Sequence, residues 1–219
     1  MDVAVLVFLS SGLFLGWSLG ANDAANVFGT AVGTRMVHFT TAALICSAFV
    51  ILGAVVSGAG ATHTLGKLGA VNAMPGAFMV ALAAATTVYL MTKAGMPVST
   101  TQAIVGAIVG WNLFSGGLTD AATLTTLVAT WFLCPALAAV IAAGLFKAIT
   151  GWLRRAELHI LRQDAYTRVG LIVAGAFGAY SLGANNIANV VGVFVPSAPF
   201  TDFDIAGVFT FSSTQQLFL

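Results

Sequence analysis

Apolar runs of about 18–20 residues, the length a helix needs to cross a bilayer core of roughly 30 Å, recur along this chain from end to end. Five precede its one charged stretch, at roughly 3–20, 40–60, 76–93, 97–117 and 121–147. A further run covers about 169–185 and continues raggedly to Val195, and another begins near Ile205. Charged residues make up 7% of the 219 positions, against roughly 25% in an ordinary soluble domain. Such a chain cannot coat a globule with polar surface, so a polytopic all-α membrane protein is expected. A soluble enzyme, a DNA-binding domain and a secreted disulfide scaffold are excluded. No basic block with interleaved aromatics points to nucleic acid. Gly66-Lys67 is followed by Leu68 and no Gly lies five residues before Gly66, so no nucleotide-binding loop is present and no enzymatic activity is expected.

Cys46 and Cys134 both lie inside apolar runs and read as packing residues. His38, His63 and His159 fall near span ends and far apart in sequence, a poor arrangement for a metal. Met1-Asp2 leads straight into Val3–Phe8 with no basic region or fitting cleavage site, so the first run is expected to be a retained span. Five of the eight basic residues fall between Lys147 and Arg168. If the N-terminus is outside and five segments each cross once, Arg35, Lys93, Lys147, Arg154, Arg155, Arg162 and Arg168 are all cytoplasmic, and Lys67 alone is not. The excess of basic residues on cytoplasmic loops favours that orientation over its opposite.

One segment occurs twice. Ser18-Leu-Gly-Ala-Asn-Asp-Ala-Ala-Asn-Val-Phe-Gly29 returns as Ser181-Leu-Gly-Ala-Asn-Asn-Ile-Ala-Asn-Val-Val-Gly192, nine of twelve positions identical at an offset of 163. With five crossings between the copies, an odd number, the second enters the membrane in the opposite sense. Inverted repeats of this kind typify secondary transporters, whose sites lie at the repeat interface near mid-membrane. Asn22, Asp23 and Asn26, and likewise Asn185, Asn186 and Asn189, interrupt apolar sequence. A carboxylate in a membrane segment is costly unless paired or wet, which makes Asp23 a functional candidate. Spacings of three and four residues group these side chains on one helix face. Their oxygens, with main-chain carbonyls freed if Gly20 and Gly29 break the helix, suit a hard monovalent cation. Interhelical hydrogen bonding would account for the amides, but not for the carboxylate or the duplication.

Met96-Pro-Val-Ser-Thr-Thr-Gln102 forms a second motif. Pro97 marks a helix start. The unpaired N–H groups there, with the hydroxyls of Ser99, Thr100 and Thr101 and the amide of Gln102, offer donors to a tetrahedral oxyanion. Gly12, Gly16 and Gly20, and Gly106 and Gly110, recur at four-residue spacing, as in closely packed membrane helices.

Gly-Ala-Asn-Asp-x-Ala-Asn-x-x-Gly at 20–29, its relative at 183–192 and Pro-Val-Ser-Thr-Thr at 97–101 together resemble the inorganic phosphate transporter family, which also contains sulfate permeases. The resemblance implies secondary transport of phosphate coupled to sodium or protons, two inverted halves, and often a homodimer in the cell membrane. It implies that Asn22, Asp23, Asn26, Asn185, Asn186 and Asn189 serve coupling cation and anion, sodium being expected at Asp23, Asn26 and Asn189. It also implies that Ser99, Thr100, Thr101 and Gln102 serve the anion. The family pattern is departed from in three respects: Asn186 replaces a second aspartate, Gln102 stands where a His is common, and the second Pro-x-Ser-Thr-Thr that the family pattern would put near residue 260 is not within these 219 residues.

The expected organisation is a first transmembrane repeat over 1–150, a basic cytoplasmic linker over 151–168, and the start of a second, inverted and incomplete repeat over 169–219. The expected function is phosphate transport, with sulfate transport second. A non-transporting membrane subunit or truncated relic is the rival of a different class.

Overall fold

In the computed structural model, residues 3–58, 68, 71, 73–156, 159–195, 203–205 and 209–211 are described. Among the described residues, six helices carry the architecture: α1 (Val3–Gly33), α2 (Phe39–Ser57), α3 (Met74–Lys93), α4 (Thr100–Ser115), α5 (Ala121–Arg155) and α6 (Ile160–Val191). All but α4 are long and apolar enough to cross a bilayer, and the chain is a multi-pass membrane protein. His63 and Lys67 lie outside the described residues.

Two strands, β1 (Phe203–Ile205) and β2 (Phe209–Phe211), pair antiparallel with Phe203 opposite Phe211. This hairpin stands where a further span was expected to begin near Ile205. Phe-Asp-Ile and Phe-Thr-Phe alternate apolar and polar residues and are rich in β-formers, a period of two rather than 3.6.

A further expectation is corrected. The first run does not stop at 20, because α1 continues unbroken through Gly20 and Gly29 to Gly33, and α6 likewise runs through Gly183. A mid-helix glycine costs about 1 kcal/mol relative to alanine. Breaking a helix in hydrocarbon leaves several unpaired backbone groups, a far larger cost. Within the basic stretch 151–168, α5 reaches Arg155 and α6 starts at Ile160. Arg154 and Arg155 occupy the last turn of α5, where positive charge complements the helix dipole.

Segment 97–117 is not a full crossing. Pro97 precedes α4, Ser99 caps it by accepting from the Gln102 N–H, and Gly116 ends it at φ 75°. Its 16 residues span only about 24 Å. The direction of α3 explains the short partner. Phe8 meets Phe78, Trp17 meets Tyr89 and Asn22 meets Thr92, so α3 runs parallel to α1 and ends level with Asn22. From there α1 continues to Gly33, about 16 Å further. α4 then returns antiparallel along α3, bringing Trp111 against Gly76. The α3–α4 pair is thus a helical hairpin whose tip, near 94–99, stops partway along α1.

The core between α1, α3, α4 and the end of α6 is apolar and closely packed, with Leu15, Ala81, Ala85, Ile104 and Phe194 buried. A second cluster joins α1, α2 and α6 around Phe28, Ala42, Cys46 and Ala179. At the start of α5, Asp120 accepts from the Thr123 hydroxyl and from the N–H groups of Ala122 and Thr123. Those bonds, the hydroxyl first, hold its carboxyl below the usual carboxylate range.

Candidate functional site

The two copies of the duplicated segment lie on α1 and α6, and these helices cross antiparallel. Phe194 packs on Gly12, Val190 on Gly16, Val27 on Gly178 and Phe28 on Gly175, so positions ascending in α1 meet positions descending in α6. At the crossing, Asp23 and its own repeat counterpart Asn186 touch, the Asn186 amide donating to Asp23 Oδ2 at 3.1 Å. Contacts on either side are close to reciprocal, as a two-fold axis through this pair requires.

The hairpin tip closes on the same point. The Asn22 amide donates to Asp23 Oδ1 and to the Val98 carbonyl, both at 2.7 Å, while Thr92 donates to Asn22 Oδ1 at 3.3 Å. The Asn189 amide donates to Thr101 Oγ1 at 3.0 Å and to Asn186 Oδ1 at 2.8 Å. A continuous polar chain therefore runs Thr92–Asn22–Asp23–Asn186–Asn189–Thr101, joining the four helices α3, α1, α6 and α4. Thr100, 2% exposed, sits beside Asp23, yet its hydroxyl meets no partner at hydrogen-bonding geometry. Its position at the first turn of α4 adds the free N–H groups of a helix start.

Other expected site residues are placed differently. Ser99 is exposed and spends its oxygen on the cap. Gln102 is exposed and does not join the cluster. Successive residues turn about 100° around a helix, so Thr100, Thr101 and Gln102 cannot all face one point. Asn26 and Asn185 are exposed. With Asp23, Asn186 and Ser181 they line an open cleft of about 540 Å³ between α1 and α6. Asn189 does not line that cleft. Sequence reasoning missed Thr92, which a run of hydropathy places among ordinary span residues; its reach to Asn22 depends on the α3–α1 register.

A helical membrane architecture with antiparallel duplicated segments and a polar cluster at their crossing defines the class. The chain belongs to the phosphate transporter family, whose model matches residues 19–202. It is 34% identical over 160 residues to a protein of Thermococcus kodakarensis named "Putative phosphate permease", covering 68% of this chain and 39% of that one. It is 31% identical over 160 residues to the chloroplastic inorganic phosphate transporter 2-1 of Arabidopsis thaliana, covering 68% of this chain and 27% of that one. Among solved structures, a sodium-dependent phosphate transporter superposes with a TM-score of 0.73 at 23% identity, over 89% of this chain and 67% of that one. The chain spans about two fifths of the length of the Thermococcus and Pyrococcus relatives it matches.

Proposed function

We propose that this chain provides the first repeat, and the opening of a second, inverted one, of a secondary transporter that carries inorganic phosphate across the cell membrane with sodium. The observation that carries the reading is the buried Thr100 hydroxyl at the start of α4, beside the Asp23 carboxylate and next to both copies of the duplicated segment. Together with Thr101 and the N–H groups of the first turn, it offers donors to an oxyanion. The Asp23 carboxylate with the free amide oxygens of Asn26 and Asn185 forms an all-oxygen set on the cleft side, the donor chemistry a hard cation requires. Sodium is a co-substrate there, and Asn189, held by Thr101 and Asn186, supports the anion side instead. The antiparallel crossing of α1 and α6 supports the inversion. A hairpin that enters and leaves on one side preserves the odd number of crossings (α1, α2 and α5) between the copies. On this reading the repeats occupy 1–150 and 169–219, the basic stretch 151–168 is cytoplasmic and the N-terminus is outside.

Phosphate is favoured over sulfate by its residual O–H, which needs an acceptor that Asp23 supplies and that sulfate would meet as a repelling charge. The test is binding of labelled phosphate to the purified chain with and without sodium. Thr100→Ala and Thr101→Ala should each weaken binding by about ten- to a hundredfold, and Asp23→Asn should remove the sodium dependence. Unchanged affinity in both threonine variants would overturn the anion site. Stronger competition by sulfate than by phosphate would reassign the substrate, and no binding of either anion would favour a non-transporting subunit.

A further inference from the structure

On the face of α1 turned away from the open cleft lies a separate recess of about 260 Å³, lined by Trp17, Ser18, Ala21, Tyr89, Thr92 and Lys93. It sits where α3 ends against α1. Its walls are the tilted pair Trp17 and Tyr89, ring centres 5.8 Å apart, with the Lys93 ammonium 5.9 Å from the Tyr89 ring. No acid pairs with Lys93 among the described residues, where Arg168–Asp164 is the single ion pair. At the back of the recess Ser18, 1% exposed, holds a hydroxyl with no hydrogen-bond partner. The indole of Trp17 and the phenol of Tyr89 likewise bring polar hydrogens that no acceptor among the described residues takes up. A cation without a counter-ion, beside a buried unpaired hydroxyl and two aromatic donors, is a recess short of acceptors and short of negative charge.

We propose that this recess is a second oxyanion subsite, holding a phosphate group by the Lys93 ammonium and the Ser18 hydroxyl. It is connected to the central cluster through Thr92, which lines the recess and hydrogen-bonds Asn22. The volume takes a phosphate group with a few waters but no nucleotide. The group is inorganic phosphate on its way to the centre or the headgroup of an acidic lipid; the chemistry of recognition is shared. The subsite lies outside the central site but rests on the same reading of the chain as an anion carrier.

Labelled inorganic phosphate, titrated onto the full chain in detergent free of acidic lipid, counts the sites. Two bound phosphates are expected. Lys93→Gln and Ser18→Ala should each weaken one of them by about tenfold and leave the other, while Thr101→Ala should do the reverse. Lys93 is exposed, so its variant should keep the fold, checked by thermal unfolding. Loss through Thr101→Ala with no change in Lys93→Gln or Ser18→Ala would overturn the subsite and leave the central site standing. Loss through Lys93→Gln alone would keep the subsite and overturn the central one. In the lipid arm, the chain is reconstituted in discs containing phosphatidylglycerol or only phosphatidylcholine. Displacement of the Lys93-dependent phosphate by phosphatidylglycerol, or Lys93-dependent retention of that lipid where free phosphate does not bind, would assign the subsite to lipid.

Discussion

Near-identical residues in the two copies of the duplicated segment have different fates. Asn22 in the first copy and Asn189 in the second are buried and hydrogen-bonded to the hairpin tip. Their repeat counterparts, Asn185 and Asn26, are exposed and line the open cleft. Glycines divide in the same way. A Cβ at Gly183 would lie 2.0 Å from the Val50 carbonyl of α2, and one at Gly53 equally close to the Tyr180 carbonyl, whereas nothing lies within 4 Å of one at Gly20. A repeated sequence therefore supplies the same polar and close-packing groups twice, and what packs against each copy decides which are used. In these residues α2 and the hairpin take up one member of each pair, leaving the other available.

The glycine contrast gives the largest expected effect. Gly183→Ala puts a methyl group into a backbone contact that cannot yield by a side-chain rotation. It should destabilise the chain by about 1–3 kcal/mol or more, as overpacking does. Gly20→Ala should be neutral or stabilising by up to about 1 kcal/mol, the gain in helix propensity. Thermal unfolding of the two variants side by side checks this. Equal losses would mean that Gly20 is as tightly packed as Gly183 and that the two faces do not differ.

The asparagines should follow with a smaller split. Asn189→Ala removes both its bonds to Thr101 and Asn186 and leaves buried groups unpaired, an expected loss of about 1–3 kcal/mol. Asn26→Ala, at an exposed position, should stay within about 0.5 kcal/mol of the parent. If Asn26→Ala proves as damaging as Asn189→Ala, the cleft side is structurally engaged and the contrast fails.

Much of this was legible because the informative signals were local. The duplication exposed the six Asn/Asp positions, and Pro97 with its hydroxyls located the start of α4. What escaped depends on register. Hydropathy cannot distinguish an apolar hairpin arm from a crossing, so 97–117 read as a span and Lys93 as part of a cytoplasmic loop. Gln102 was grouped with Thr101 by adjacency, although helical rotation carries it elsewhere. Gly20 and Gly29 suggested breaks because glycine permits them, while the bilayer's demand for paired backbone groups kept the helices whole. The mutual fit of Gly53 and Gly183 involves residues far apart in sequence, and neither position announces it alone.

The mildest expected effect comes from exchanging the two residues that meet at the crossing. Asp23 and Asn186 are equivalent by repeat, joined by a 3.1 Å hydrogen bond, and near-isosteric, so exchanging them moves one charge by a few ångströms without changing volume or net charge. If the chain binds phosphate with sodium as proposed, Asp23→Asn alone should abolish that sodium dependence, because the amide leaves the oxygens of Asn26 and Asn185 with no anionic partner. Adding Asn186→Asp to it should restore that dependence to within about tenfold of the parent, since a carboxylate then lines the same cleft from the α6 side. The remaining deficit is expected because the hairpin hydroxyls meet the two copies unequally: Thr100 sits beside Asp23 while Thr101 is tied to Asn189. Full restoration would make the cation site symmetric about the crossing. No restoration, in a variant that unfolds at the parental temperature, would confine the cation to the α1 side and limit the two-fold relation to packing.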